Sequence, residues 1–227
     1  MTILCIETGG ENCSVALFRE KEAIAIRENY QREHSRLLSV LIDEVVKSSN
    51  LKYNDIDAVA IGKGPGSYTG LRIGVATAKG ICYGISKPLI AIDSLLSLTS
   101  MCSREDKNAV YCPMIDARRQ EVYTAMFDAS LNRLSETQAV ILTESSFWEI
   151  LDRQKVYFFG SGAEKFKKTV NNPNAIFIDV KNSAKGLVKP AIEAFESNRF
   201  ENLAYFEPFY LKDFVVTTQK KNILKIN

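Results

Sequence analysis

Residues 62–74 read Gly62-Lys63-Gly64-Pro65-Gly66-Ser67-Tyr68-Thr69-Gly70-Leu71-Arg72-Ile73-Gly74, directly after the apolar run Ala58-Val59-Ala60-Ile61. Four glycines and a proline fall between Gly62 and Gly70. That density does not suit a strand interior or an ordinary helix interior, because glycine is entropically costly to order and proline lacks the backbone donor. The run before it is strand-like. The run after it, 71–85, is helix-like and continues a series of small residues, Gly70, Gly74, Ala76, Ala78, Gly80 and Gly84. Glycine costs about 1 kcal/mol per helical site relative to alanine, so close packing against a neighbour is expected to offset it. A strand, a glycine-rich turn and a tightly packed helix bring backbone close to a ligand or to another protein.

The surrounding pattern predicts α/β architecture. Residues 2–7, 13–19 and 23–29 read as three strands joined by short turns, an antiparallel meander. Over 35–47 the period changes: Leu38, Leu41, Ile42, Val45 and Val46 share one helical face, with Ser35 as the expected N-cap. Strands at 58–61 and 88–92 and a helix over 94–102 complete one layer. The polar run 103–108 reads as a boundary. The pattern then restarts, with strands at 110–115, 121–127, 138–142, 156–159 and 175–178. Helices are expected over 144–152, 164–170 and 183–196. The expected organisation is an N-terminal lobe over 1–104, a C-terminal lobe over 105–213 and a tail over 214–227. Each lobe would be a mixed sheet with helices.

Composition excludes several classes. A 46% hydrophobic content over 227 residues supports a sizeable core. The net charge of +2 is too even to argue for nucleic-acid binding by itself. Most of the five cysteines lie in apolar runs, none has CxxC spacing, and they read as buried free thiols of a reducing compartment. With no signal-peptide pattern and no long apolar stretch, a cytoplasmic protein without membrane contact is expected. The lone histidine, His34, reads as a surface or capping residue, and no cluster has metal-ligand spacing.

Three motifs carry a resemblance. They are Gly64 to Gly74, the segment Asp116-Ala117-Arg118-Arg119-Gln120-Glu121-Val122-Tyr123, and the late Pro208-Phe209-Tyr210-Leu211-Lys212. Together they resemble the bacterial tRNA threonylcarbamoyladenosine biosynthesis family TsaB (YeaZ-like), from Thr2 to about Lys212. Two successive α/β units are likewise similar to the two-lobed fold of actin, heat-shock chaperones and sugar kinases (ASKHA). The resemblance implies a non-catalytic paralogue of TsaD, the enzyme that transfers threonylcarbamoyl to the adenosine beside the tRNA anticodon. It implies a heterodimer with a TsaD-like protein, a TsaE-like ATPase as further partner, a homodimer when alone, and indirect contact with tRNA. ATP and magnesium would be used by the complex, with no cofactor assigned to this chain. TsaD carries an HxxxH metal motif after the strand matching 88–92; the corresponding residues here are Ser94 and Leu98, which cannot replace two imidazoles.

The candidate sites follow. Glu7, Thr8, Gly9 and Gly10 resemble the first phosphate-facing turn of that fold, with glutamate where relatives more often show aspartate. With Gly64, Gly66, Ser67, Thr69 and Arg72 they form a candidate nucleotide or anion site; packing alone is the competing reading. Gly160-Ser161-Gly162-Ala163 resembles the adenosine-side glycines, or is a simple strand-to-helix turn. Leu37, Leu38, Leu41, Ile42, Val45, Ile73, Ala76 and Gly80 are the candidate partner interface. Asp116, Arg118 and Arg119, with Glu121 nearby, are either cleft residues or a solvated hairpin tip. Lys212, Lys220, Lys221 and Lys225 make the tail basic. The alternative function is an autonomous ATP-dependent phosphotransferase, for which Glu7 and Asp116 are the acidic candidates.

Overall fold

The computed structural model describes residues 1–31 and 34–212. β1 (Thr2–Glu7), β2 (Cys13–Arg19) and β3 (Glu22–Asn29) form the antiparallel meander. α1 (His34–Ser48), β4 (Ala58–Gly64), α2 (Tyr68–Ile85), β5 (Leu89–Asp93) and α3 (Ser94–Ser100) follow in alternation. β4 pairs in parallel with both β1 and β5, giving the order β3-β2-β1-β4-β5. The second half holds β6 (Val110–Asp116), β7 (Glu121–Thr124), β8 (Gln138–Ile141), α4 (Trp148–Leu151), β9 (Val156–Phe159), α5 (Ala163–Lys167), β10 (Ala175–Phe177) and α6 (Val188–Glu196). Its order is β10-β9-β6-β7-β8, antiparallel on one side of β6 and parallel on the other. The second sheet therefore repeats the first in order and sense.

β1 is buried along its whole length because its sheet is covered on both faces. Leu4 and Ile6 meet Leu38, Ile42 and Val75 of α1 and α2. Ile3 and Cys5 meet Ala191 and Ile192 of α6. The third helix of each half thus crosses over. Leu95 and Leu98 of α3 pack with Tyr111, Ile115 and Phe159 of the second sheet, while α6 covers the first. A boundary at 104/105 places α6 with a sheet it does not cover. Arg104 holds the connection: its guanidinium donates to Thr99 O and Cys102 O, both at 2.7 Å, and to Ala129 O at 3.1 Å.

Several elements differ from expectation for local reasons. The strand expected at 58–61 runs on through Gly62 and Gly64, which keep pairing with Ile92 and Asp93 of β5 across a register slip. α2 starts at Tyr68 rather than at 71, capped by Ser67. The helix expected over 183–196 opens as a 3-10 turn, Ala184–Leu187, with Pro190 in the first turn of α6, where its missing N–H costs nothing. Ser35 lies inside α1 and is not its cap. All five cysteines are buried and unpaired, and burial pushes the Cys112 thiol up to about 12. Among the described residues no helix is long and apolar enough to cross a membrane.

Candidate functional site: a self-filled turn beside an open helix face

β1 delivers Glu7 into the interior, where it is 1% exposed. Gly9 N–H donates to its Oε1 at 2.7 Å, and Ser94 Oγ approaches its Oε2 at 3.4 Å. Ser94 Oγ in turn accepts from Gly64 N–H at 3.2 Å. Gly62 is the reason this carboxyl fits: any side chain there would overlap it. Burial pushes the Glu7 carboxyl up to about 7. The Gly9 and Ser94 hydrogen bonds oppose that rise, and the Asp93 charge adds to it. Ser94, at the start of α3, therefore serves this network, and Leu98 is buried in the core.

The two glycine-bearing segments pack on each other. Ser67 N–H donates to Gly9 O at 2.8 Å. Side chains at Gly66 or Gly70 would run into the carbonyls of Gly9 and Thr8, and Gly74 lets α2 lie against the Thr8 side chain. Thr8 Oγ1 is buried there with no hydrogen-bond partner. On the other side of the turn stands Asn182, whose Cβ would lie 3.0 Å from a methyl group at Gly10. Asn12 Nδ2 donates to Asn182 O at 2.6 Å. Ser183 Oγ donates to Glu28 Oε1 at 2.5 Å, and Ala184 N–H to Ser14 Oγ at 2.9 Å. The turn expected to face a phosphate is lined by the chain itself.

Of the nine candidate anion residues, Glu7, Thr8, Gly9, Gly10, Gly64, Gly66 and Ser67 do come together, with Ser67 Oγ accepting from Gly70 N–H at 3.3 Å. Thr69 and Arg72 lie outside this cluster and are exposed. The Arg72 guanidinium sits 4.7 Å from the Tyr68 ring centre, and Tyr68 meets the Tyr210 ring at 4.8 Å. The Gly160–Ala163 segment is a strand-to-helix turn: Gly162 packs on Val122, and Ala163 N–H returns to Gly160 O at 3.1 Å.

The candidate interface divides. Leu38, Leu41, Ile42 and Val45 are in the chain's own core, so they are not available to a partner. Helical periodicity finds the buried face of α1; it does not separate an inner core from an outer contact. Leu37 and Ile73 are half-buried, while Ala76 and Gly80 are exposed. Next to them stand exposed residues that periodicity did not single out: Val40 on α1, and Tyr83 (82% exposed) and Gly84 on α2. No atom lies within 4 Å of where a side chain would begin at Gly80 or Gly84.

Asp116 joins Arg118 N–H at 2.6 Å and Lys165 Nζ at 2.7 Å. Arg118 and Arg119 have φ of 69° and 48° and are exposed at the hairpin tip. His34, expected as a surface or capping residue, is the buried first residue of α1, with Nε2 3.2 Å from Asn12 O. It ties α1 to the turn after β1. Sequence reading missed a strap at 201–212. Glu201 bridges Leu89 of β5, and Lys79 Nζ donates to Ala204 O (3.2 Å) and Phe206 O (3.0 Å). Phe209 N–H donates to Lys63 O at 2.8 Å, and Lys212 pairs with Glu121. No local pattern marks these contacts, since Lys79 and its acceptors lie far apart in sequence. Lys220, Lys221 and Lys225 fall outside the described residues. Among the described residues, no three His, Cys, Asp or Glu side chains group as a metal set.

Comparison with known proteins decides the family. Residues 26–224 match the family model TsaD, tRNA N6-adenosine threonylcarbamoyltransferase. A Bacillus subtilis protein, tRNA threonylcarbamoyladenosine biosynthesis protein TsaB, is 30% identical over 179 residues, 76% of this chain and 76% of that one. The chain belongs to the TsaD family, in its TsaB branch. The Haemophilus influenzae TsaB is 38% identical over 123 residues, 54% of this chain. That match spans only about half of the relative's length, 52%. A solved Pseudomonas aeruginosa protein with similarity to peptidase YeaZ superposes with a TM-score of 0.81 at 23% identity, over 93% of this chain and 99% of the other. The TsaB-branch fold is thus the two-lobed α/β arrangement described above.

Proposed function

We propose that this chain is a non-catalytic partner in threonylcarbamoyladenosine biosynthesis. It pairs with a TsaD-like catalytic paralogue and works with a TsaE-like ATPase. The complex transfers threonylcarbamoyl to the adenosine beside the anticodon in tRNA. The observation that carries this reading is a contrast within one TsaB-branch chain: the turn after β1 packs closely against Asn182 at Gly10, whereas the outer face of α2 lies open. Residues 1–104 act as the docking lobe, through Leu37, Val40, Ile73, Ala76, Gly80 and Tyr83. The small residues let a second helix approach closely, and the apolar side chains around them supply contact area. The same face serves a homodimer when the chain is alone. Residues 105–212 supply the second lobe, except that α6 covers the first sheet. ATP and magnesium act in the complex, in the cytoplasm, and tRNA is met through the catalytic partner.

Size-exclusion chromatography with a TsaD-like protein tests the pairing. Val40→Glu and Gly80→Arg are expected to weaken co-elution by at least about tenfold without changing the chain's own circular dichroism. Unchanged co-elution in both variants contradicts the proposed face. Transfer to tRNA is expected only when the TsaD-like and TsaE-like proteins, ATP and threonylcarbamoyl-adenylate are all present; product without the TsaD-like protein contradicts the non-catalytic role. Micromolar binding of Mg-ATP with turnover by the isolated chain would favour the phosphotransferase alternative.

A further inference from the structure

The strap at 201–212 lies over the corner where β4 ends and α2 begins, and none of its residues is buried. Those beneath it are: Leu89 at the start of β5, Gly64 at the end of β4 and Leu71 in the first turn of α2. The strap's Phe209 carbonyl lies 2.7 Å from where a side chain at Gly64 would begin.

Few ties hold the strap down. Glu201 N–H donates to Leu89 O at 2.9 Å and Phe209 N–H to Lys63 O at 2.8 Å. Between these two points Lys79 Nζ reaches the carbonyls of Ala204 and Phe206. Past them Tyr210 rests on Tyr68, and Lys212 pairs with Glu121 of β7. Leu203 and Phe206 pack half-buried on the core of the first sheet. Pro208 has no N–H to offer, and pairing with the sheet edge stops at the bridge between Glu201 and Leu89.

When such a segment lifts, water replaces the lysine on its carbonyls, and little apolar area is lost beyond that of Leu203, Phe206 and Tyr210. Segments with few buried apolar contacts and exposed backbone hydrogen bonds open at a fraction of the global cost. The sheet underneath keeps a core on both faces and does not depend on the strap. Lys79 stands three residues after Ala76 and four before Tyr83, on the same side of α2.

We propose that residues 201–212 form a lid closed by two lysine clasps, Lys79 at its middle and Lys212 at its far end, which opens while the rest of the fold stays intact. Open, it uncovers Gly64, Leu71 and the first turn of α2. Where α2 docks a TsaD-like protein, which rests on the function proposed above, the partner closes over Lys79 and holds the lid shut.

Hydrogen exchange of the full chain, corrected for intrinsic rates, reads the lid at the Phe209 amide. Its protection is expected to be at least about tenfold lower than that of Ala60 and Ile61 in β4. Lys79→Met is expected to lower it by roughly fivefold more. Lys212→Glu, which sets like charge against Glu121, is expected to lower it by roughly threefold, and adding Glu121→Lys to restore it. The β4 amides and the urea midpoint stay unchanged in every variant. Phe209 protection as high as that of Ile61 overturns the lid. So does protection at Phe209 that neither variant moves, or that falls only together with β4. A TsaD-like protein added to the wild type is expected to slow Phe209 exchange roughly tenfold. Variants that act on Phe209 while the partner does not uphold the lid and remove α2 as the docking face.

Discussion

At Glu7 a single methylene and a single proton set the local energetics. Its carboxyl titrates near about 7 in the folded chain against an ordinary 4.5. Below the lower value both folded and unfolded chains hold the proton. As pH rises, the unfolded chain releases it first, so folding loses stability until the folded group also ionises. The slope is about 1.4 kcal/mol per pH unit, so the stability difference between wild type and Glu7→Gln should change by about 3 kcal/mol from acid to neutral pH. Urea unfolding of the two proteins at a series of pH values measures it; parallel curves would contradict the assignment. Gly62→Ala sets a methyl group against the same carboxyl and is expected to destabilise by roughly 2–4 kcal/mol in the same assay. Thr8 offers the opposite sign. Its hydroxyl is buried without a partner, so Thr8→Val is expected to be neutral or stabilising by about 1 kcal/mol, read as an unchanged or raised denaturation midpoint.

At the scale of elements, α2 has two faces made of the same small residues for different reasons. Side chains at Gly70 and Gly74 would run into Thr8, whereas side chains at Gly80 and Gly84 would enter open space. Replacing Gly80 and Gly84 by alanine therefore fills open space, and each change should stabilise the isolated chain by up to about 1 kcal/mol. If the outer face receives a partner helix, the same changes should weaken pairing. A thermal melt and a binding titration on one sample separate the two effects. The 62–74 stretch was legible as a strand, a turn and a helix, yet of its glycines only Gly66 lies in the turn, with Gly62 and Gly64 in the strand and Gly70 and Gly74 in the helix. Composition showed that something must come close; only the packed structure shows that it is the 8–10 turn and Glu7. The strap was not legible, because its polar links join Lys79, Lys63 and Glu121 to residues more than a hundred positions or nearly a hundred away.

For the whole molecule, the exchange of third helices governs cooperativity. α3 completes the second sheet's core and α6 completes the first, so neither half can unfold and leave the other's core covered. One calorimetric transition is expected, with calorimetric and van't Hoff enthalpies agreeing; two resolved transitions would contradict this. Asn182 links the halves at the turn after β1. The alternation of apolar runs, the change of period at 35–47 and the restart after 108 were enough to state two mixed-sheet units, since those patterns depend on neighbours a few residues apart. The motifs at 64–74, 116–123 and 208–212 were enough to state the family resemblance. What covers each sheet, which leucines of α1 face inward, and what fills the glycine turn were decided by the tertiary structure. These depend on contacts between distant segments, and a period of 3.6 or 2 records which side of an element is apolar without recording what lies against it.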